Sequence, residues 1–221
     1  LEIPTNDFSQ EPAMDDEGCA EAMAFGMSAI EKGIDLFVPG EMGIGNTTSA
    51  AAIAYALLGG EAADWTGRGT GIDDETLKRK TRVVGDAIIL HKNQFHDAFD
   101  VLRCVGGREI AAMAGAILAA RYQRVPVLLD GYVSCAAAAI LGTIRSDALD
   151  HCLVGHISAE PGHKRLIEKL GKQALLDFGM RLGEGSGAAL AIPLLRASAE
   201  CHNGMATFVK AGAPRRDAYS F

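Results

Sequence analysis

The stretch Asp35–Leu58 reads DLFVPGEMGIGNTTSAAAIAYALL. Asp35–Pro39 predicts a short apolar strand, Gly40–Thr48 a glycine-rich turn, and Thr48–Leu58 a helix of small and apolar residues. Strand, turn and helix in that order open an α/β unit. Gly40–Thr47 reads G-E-M-G-I-G-N-T, one residue short of the phosphate loop G-x-x-x-x-G-K-[ST]. Asn46 stands where a lysine would neutralise phosphate charge, which argues against an NTPase. The backbone logic survives the exchange. Glycines allow close approach, and the next helix presents free N–H groups to an anion. Gly43, Gly45, Asn46 and Thr47 are therefore candidate phosphate- or carboxylate-binding residues. A tight turn without a ligand accounts for the same letters.

Working outward, the alternation continues. Residues 1–15 are polar and read as an extended arm, and Asp15–Lys32 as a helix ending at Gly33. Gly59–Gly71 is a glycine-rich connection containing GRGTG at Gly67–Gly71. Asp73 caps a helix running to about Lys92, with Asp73, Asp74 and Glu75 complementing its positive end. Arg108–Tyr122 predicts an amphipathic helix. Val125–Leu129 predicts a buried strand, followed by Asp130–Tyr132 (DGY) and a small-residue helix at Cys135–Leu141. Cys152–Ile157 predicts a further strand, running into HISAEPGH at His156–His163. Pro161 opens a helix to about Leu170. The loop Leu182–Ser186 (LGEGS) precedes a last helix, Gly187–Glu200. No internal repeat is evident. Strands alternating with helices predict an α/β fold with a largely parallel sheet, whose ligands bind at loops leaving the carboxyl ends of strands.

Composition narrows the class. The chain has 221 residues, 48% hydrophobic and 22% charged, enough to build a core, so disorder is excluded. A net charge of −7 disfavours nucleic acid as a partner. The most apolar stretch, Val125–Ile144, is broken by Asp130 and Gly131 and reads as strand, loop and helix, not a membrane span. The five cysteines, Cys19, Cys104, Cys135, Cys152 and Cys201, never form CxxC and read as reduced thiols of a cytoplasmic protein. His91, His96, His151, His156 and His163 match no recognised metal pattern, so no metal is expected.

Chemistry concentrates in the loops. GRGTG, with Gly69, precedes a helix carrying Lys78, Arg79 and Lys80. Asp130 and Gly131 follow one predicted strand, and Ser158 and Ala159 another. Four such loops suit a ligand with several anionic and hydroxyl groups, such as a nucleotide. Glu184 lies between Gly183 and Gly185, held on bare backbone, which suits a general base. It equally suits a helix-start acid favoured by the helix dipole. Glu41 is a second candidate acid, or a solvated turn residue. Gly183–Gly187 reads G-E-G-S-G, so its serine falls one place late for a nucleophile elbow.

Taken in order, GEMGIGNTTSAAA, GRGTGIDD with Lys80, GGREIAAMAGA, PVLLDGY, GHISAEPGH, and GMRLGEGSGAALA with GMATF strongly resemble the nicotinate-nucleotide–dimethylbenzimidazole phosphoribosyltransferases. The resemblance runs from about Phe37 to Phe208. It implies a Rossmann-like large domain and part of a smaller helical domain. The chain then divides into an N-terminal arm and helix (1–34), an α/β core (35–185) and a C-terminal helical part (186–221). Known members are longer at the N-terminus, so the chain looks like roughly the C-terminal two-thirds of one. The implied reaction moves ribose 5-phosphate from nicotinate mononucleotide to 5,6-dimethylbenzimidazole, without a cofactor. Glu184 is the implied base, Glu41 a supporting acid and Lys80 a phosphate ligand. Met180 and Leu182 would flank the acceptor ring. The resemblance also implies a homodimer. A nucleotide-binding module without turnover is the alternative. The tail Arg215–Phe221 diverges and is read as frayed.

Overall fold

A computed structural model describes residues 4–69 and 71–212. The tail Arg215–Phe221 therefore lies outside the described residues, as do residues 1–3 of the arm and Thr70 of GRGTG. The chain is an α/β fold with a small parallel sheet. Strands β1 (Val127–Leu129), β2 (Cys152–His156) and β3 (Ala174–Leu176) are hydrogen-bonded in that order, β1 with β2 and β2 with β3, both pairs parallel. The predicted strand at Asp35–Pro39 is reduced to one parallel bridge, Phe37 with Val127, on the outer side of β1.

The helices follow the local signals closely. Helix α1 (Asp16–Ser28) is capped by Asp15, α4 (Asp74–His91) by Asp73, and α5 (Ala98–Val105) by Asp97. Each cap side chain accepts an otherwise unpaired N–H of the first turn. Between them lie α2 (Asn46–Leu58) and the single-turn α3 (Ala62–Trp65). Then come α6 (Arg108–Gln123), α7 (Tyr132–Ile144), α8 (Pro161–Lys169, with the proline in its first turn) and α9 (Ser186–Gly204). Helices α3 and α5 and strand β3 were not anticipated. The arm is also not free. Ala13 and Met14 are buried, their amides donate to the carbonyls of Cys104 and Arg103, and His91 Nε2 lies 2.8 Å from the Phe8 carbonyl.

Small residues set the packing. A Cβ at Gly26 would fall 1.7 Å from the Ala112 carbonyl oxygen, and one at Gly115 would fall 2.0 Å from that of Met23. Helices α1 and α6 thus cross backbone to backbone. Helix α6 is buried between α1 and α7, so it is not the half-exposed amphipathic helix its pattern predicts.

The two sides of the sheet differ. Val127 and Leu129 face the main core, which α2, α5, α6 and α7 fill. Leu128 faces the other way, into a small cluster with Ala188 and Ala191 of α9. Because the strands are parallel, the segments leaving their carboxyl ends all emerge at one edge.

Candidate active site

Those segments, together with Arg68, Gly69, Ile72 and the first half of α4, line a cleft of about 850 Å³. Of the predicted residues, Glu41, Gly43, Gly45, Asn46, Thr47, Gly69, Lys80, Asp130, Gly131, Ser158, Leu182 and Glu184 all line it. Ala159 and Met180 do not. The Ala159 amide instead donates to the Met180 carbonyl at 2.8 Å, so this pair stitches two of the loops together behind the cleft.

The turn from Gly43 into α2 carries the anion-binding logic. Gly45 has φ +86°, a left-handed conformation that places the first α2 amides at the cleft. Lys80 reaches it from α4, its ammonium donating to Thr47 Oγ1 at 2.8 Å and to the Gly67 carbonyl at 2.9 Å. Burial pulls this ammonium below the usual lysine range, opposed by the charge of Glu160. Arg68 and Arg79 also line the cleft, and Arg68 is paired with Asp74. The arginines were not singled out from the sequence. Their neighbourhood in GRGTG and the Lys78–Lys80 run was the available signal.

Carboxylates crowd the same turn. The Asn46 side-chain amide donates to Glu41. Burial pushes the Glu41 carboxyl above the usual range. The Asn46 hydrogen bond opposes that shift, and the charges of Glu109, Asp130 and Glu184 add to it. Glu109, in the first turn of α6, was missed. A Cβ at Gly43 would lie 2.8 Å from its Oε1, so its closeness to the turn is purely tertiary.

Glu184 projects from the last loop with φ +59°, between Gly183 at +80° and Gly185 at +78°. A side chain other than glycine costs energy in that region and persists only where its surroundings hold it. The loop is pressed against the first one: a Cβ at Gly40 would sit 2.9 Å from the Glu184 carbonyl oxygen. Asp130, 3% exposed, accepts from the amides of Gly185 (3.2 Å) and Ala188 (2.8 Å). Burial alone would raise its carboxyl. His156 and those two amides outweigh burial and hold it below the usual range.

His156 and His163 belong to the frame. His163 is fully buried, and its Nδ1 accepts the Ser158 amide at 2.8 Å. Burial and neighbouring His156 push it down to about 3, so it is neutral throughout the physiological range. The four buried cysteines and exposed Cys201 are free thiols. Burial raises Cys135, 3.2 Å from His163 Nε2, and no activated thiol results. No group of three or more His, Cys, Asp or Glu side chains among the described residues is arranged to hold a metal ion. Nor is any helix among them long and apolar enough to cross a membrane.

Fold and site together define a Rossmann-like α/β protein whose strand-end loops form a cleft lined by both cationic and acidic side chains. The phosphoribosyltransferase family model (DBI_PRT) matches residues 1–213, and the chain belongs to that family. The match takes in the arm and α1, upstream of where the motif resemblance begins. A nicotinate-nucleotide–dimethylbenzimidazole phosphoribosyltransferase of Brucella anthropi is 61% identical over 212 residues, covering 96% of this chain and 62% of the relative. One of Rhizobium rhizogenes is also 61% identical, covering 96% and 63%. Among solved structures, CobT from Thermus thermophilus superposes with a TM-score of 0.89 at 42% identity, covering 96% of this chain and 64% of that one. The chain thus spans a little over three-fifths of the length of these relatives.

Proposed function

We propose that the protein transfers ribose 5-phosphate from nicotinate mononucleotide to 5,6-dimethylbenzimidazole, yielding α-ribazole 5′-phosphate and nicotinate. The observation that carries this reading is that cationic side chains, glycine-turn amides and carboxylates line one cleft. Such a donor has a phosphate at one end and a cationic pyridinium at the anomeric carbon. The cleft offers Lys80, Arg68 and the glycine-turn amides to the phosphate, and Glu41 and Glu184 to the cationic centre. The names of the relatives agree with it.

In this reading the benzimidazole nitrogen attacks the ribose C1 as the C1–nicotinate bond breaks. The bonding pair neutralises the pyridinium, so nicotinate leaves without the metal that a pyrophosphate would require. Glu184 accepts the proton that the acceptor's other nitrogen must lose. Glu41 eases the positive charge developing on the ribosyl ring. The phosphate lies on the amides of Gly43–Thr47 with Lys80. Leu182, exposed at the rim, flanks the acceptor. Met180 supports that wall through its backbone. We further read the protein as a cytoplasmic homodimer, with the exposed Leu190 and Leu194 of α9 supplying an apolar contact face.

The test incubates the intact protein with nicotinate mononucleotide and dimethylbenzimidazole, then quantifies free nicotinate and the new nucleotide together. Stoichiometric appearance of both is expected. Nicotinate without the base nucleotide would mean simple hydrolysis. Donor binding without release of nicotinate would favour the module without turnover.

A further inference from the structure

We propose that Asp130 is a positioning residue for Glu184, acting through the first turn of α9 and not through substrate. Asp130 follows β1 directly and is 3% exposed. Both carboxylate oxygens are already engaged by backbone. Oδ2 accepts from Gly185, the residue after Glu184, at 3.2 Å, and Oδ1 from Ala188 at 2.8 Å. A negative side chain thereby fills the anion site at the N-terminal end of α9, where it is favoured by the helix dipole. A second anion there would meet a like charge in a buried setting. This is why the phosphate-binding role suggested for Asp130 by its loop does not suit its surroundings.

Glu184 needs such a hold. Its φ of +59° is unfavourable for a residue with a Cβ, and it stands one peptide from the clamped Gly185 amide. His156 completes the arrangement. Its Nε2 lies 3.5 Å from Asp130 Oδ1, and its ring lies so close to Gly187 that a Cβ there would fall 2.0 Å from Cδ2. The ends of β1 and β2 thus hold the start of α9 from two sides, and Glu184 is aimed through the backbone of that turn. The inference rests on the transfer reading only in giving Glu184 its task.

The experiment uses Asp130→Ala, Asp130→Asn, Glu184→Gln and the Asp130→Ala/Glu184→Gln double variant of the intact protein. It reads amide hydrogen exchange by NMR alongside kcat and donor KM. In Asp130→Ala the amides of Gly185 and Ala188 are expected to lose protection by about 10–100-fold, as a hydrogen bond to a charged group implies, while those of α2 keep theirs. The loss in kcat should be of the same order, about 10–100-fold, with donor KM nearly constant. Asn retains one carbonyl acceptor for Ala188, so Asp130→Asn should recover part of both losses and serves in place of the Ala variant if that one does not fold. In the Glu184→Gln background, Asp130→Ala should cost no further kcat, because the residue it aims is already disabled. Unchanged exchange at Ala188 would overturn the proposal. So would a raised donor KM with kcat intact, or an equal loss in both backgrounds. Should the parent release no nicotinate, the transfer reading falls, and the exchange data alone still decide whether Asp130 holds the Glu184 turn.

Discussion

The turn into α2 and the turn into α9 end alike but begin differently: Gly183 (φ +80°) and Glu184 (φ +59°) are left-handed, whereas Gly43 and Ile44 are not. Gly45 has φ +86° and ψ −4°, and Gly185 has φ +78° and ψ +3°. The Asn46 amide donates to the Gly43 carbonyl at 3.1 Å, and the Ser186 amide to that of Gly183 at 3.0 Å. Both turns leave outer segments of one sheet, and they touch at Gly40 and Glu184. They diverge in what faces the helix amides. Among the described residues no carboxylate accepts from the first-turn backbone amides of α2; the Lys80 ammonium meets the Thr47 side chain there, and the Glu41 carboxylate meets that of Asn46. At α9 the amides are taken by Asp130. Between the glycines stands fully exposed Ile44 in one turn and Glu184 in the other. One helix start thus leaves its backbone amides clear of carboxylates, whereas the other has the Gly185 and Ala188 amides engaged by Asp130.

The largest effect should come from Glu184→Gln, which keeps shape and a hydrogen bond but removes basicity. General base catalysis is worth about 10²–10⁴-fold, so kcat should fall by that order with donor KM little changed. A helix-start acid without a chemical role would instead cost about 0.3–1 kcal/mol of stability and leave kcat alone, so melting temperature and kcat on one sample separate the two.

Lys80→Ala probes the other turn and should show the opposite split. Losing one charge-assisted contact should raise donor KM by about 10–100-fold with a smaller change in kcat. An unchanged donor KM would remove Lys80 from phosphate binding.

Gly187→Ala sharpens the contrast in packing, because the matching position in α2, Thr47, already bears a side chain. The added methyl collides with His156 and should cost about 1–3 kcal/mol, read as a lowered denaturant midpoint.

Glu41→Gln should raise stability slightly at neutral pH. A carboxyl held above its unfolded pKa binds its proton more tightly in the native state. Its penalty on stability is therefore absent at low pH and grows as pH rises from the unfolded value through the folded one. The gain in melting temperature on substitution should accordingly disappear in acid. A gain that persists below the carboxylate range would deny that ionisation is its source.

The smallest expected effect is none: EDTA should leave turnover intact, because in the proposed reaction the leaving ring is a cationic pyridinium that the bonding pair neutralises. Loss restored by Mg²⁺ would show that the donor is wrong.

The sequence by itself determined what lies within a few residues of chain. Asp15, Asp73 and Pro161 mark helix starts, the glycines mark the turns, and apolar runs mark β1 and β2, because caps and left-handed turns are local chemistry. Most of the predicted site residues converge on the cleft for a related reason: parallel strands deliver their following loops to one edge. Tertiary structure decided the rest. Ala174–Leu176 becomes β3 only because β2 offers it an edge, and Asp35–Pro39 keeps a single bridge because only Phe37 reaches β1. The arm is ordered by Cys104 and His91, far away in sequence. Asp130 meets the Gly185 and Ala188 amides, and Glu109 approaches Gly43, through contacts between distant segments that no local pattern encodes. Which helix N-terminus meets a lysine and which an aspartate is settled only when the sheet brings those segments together.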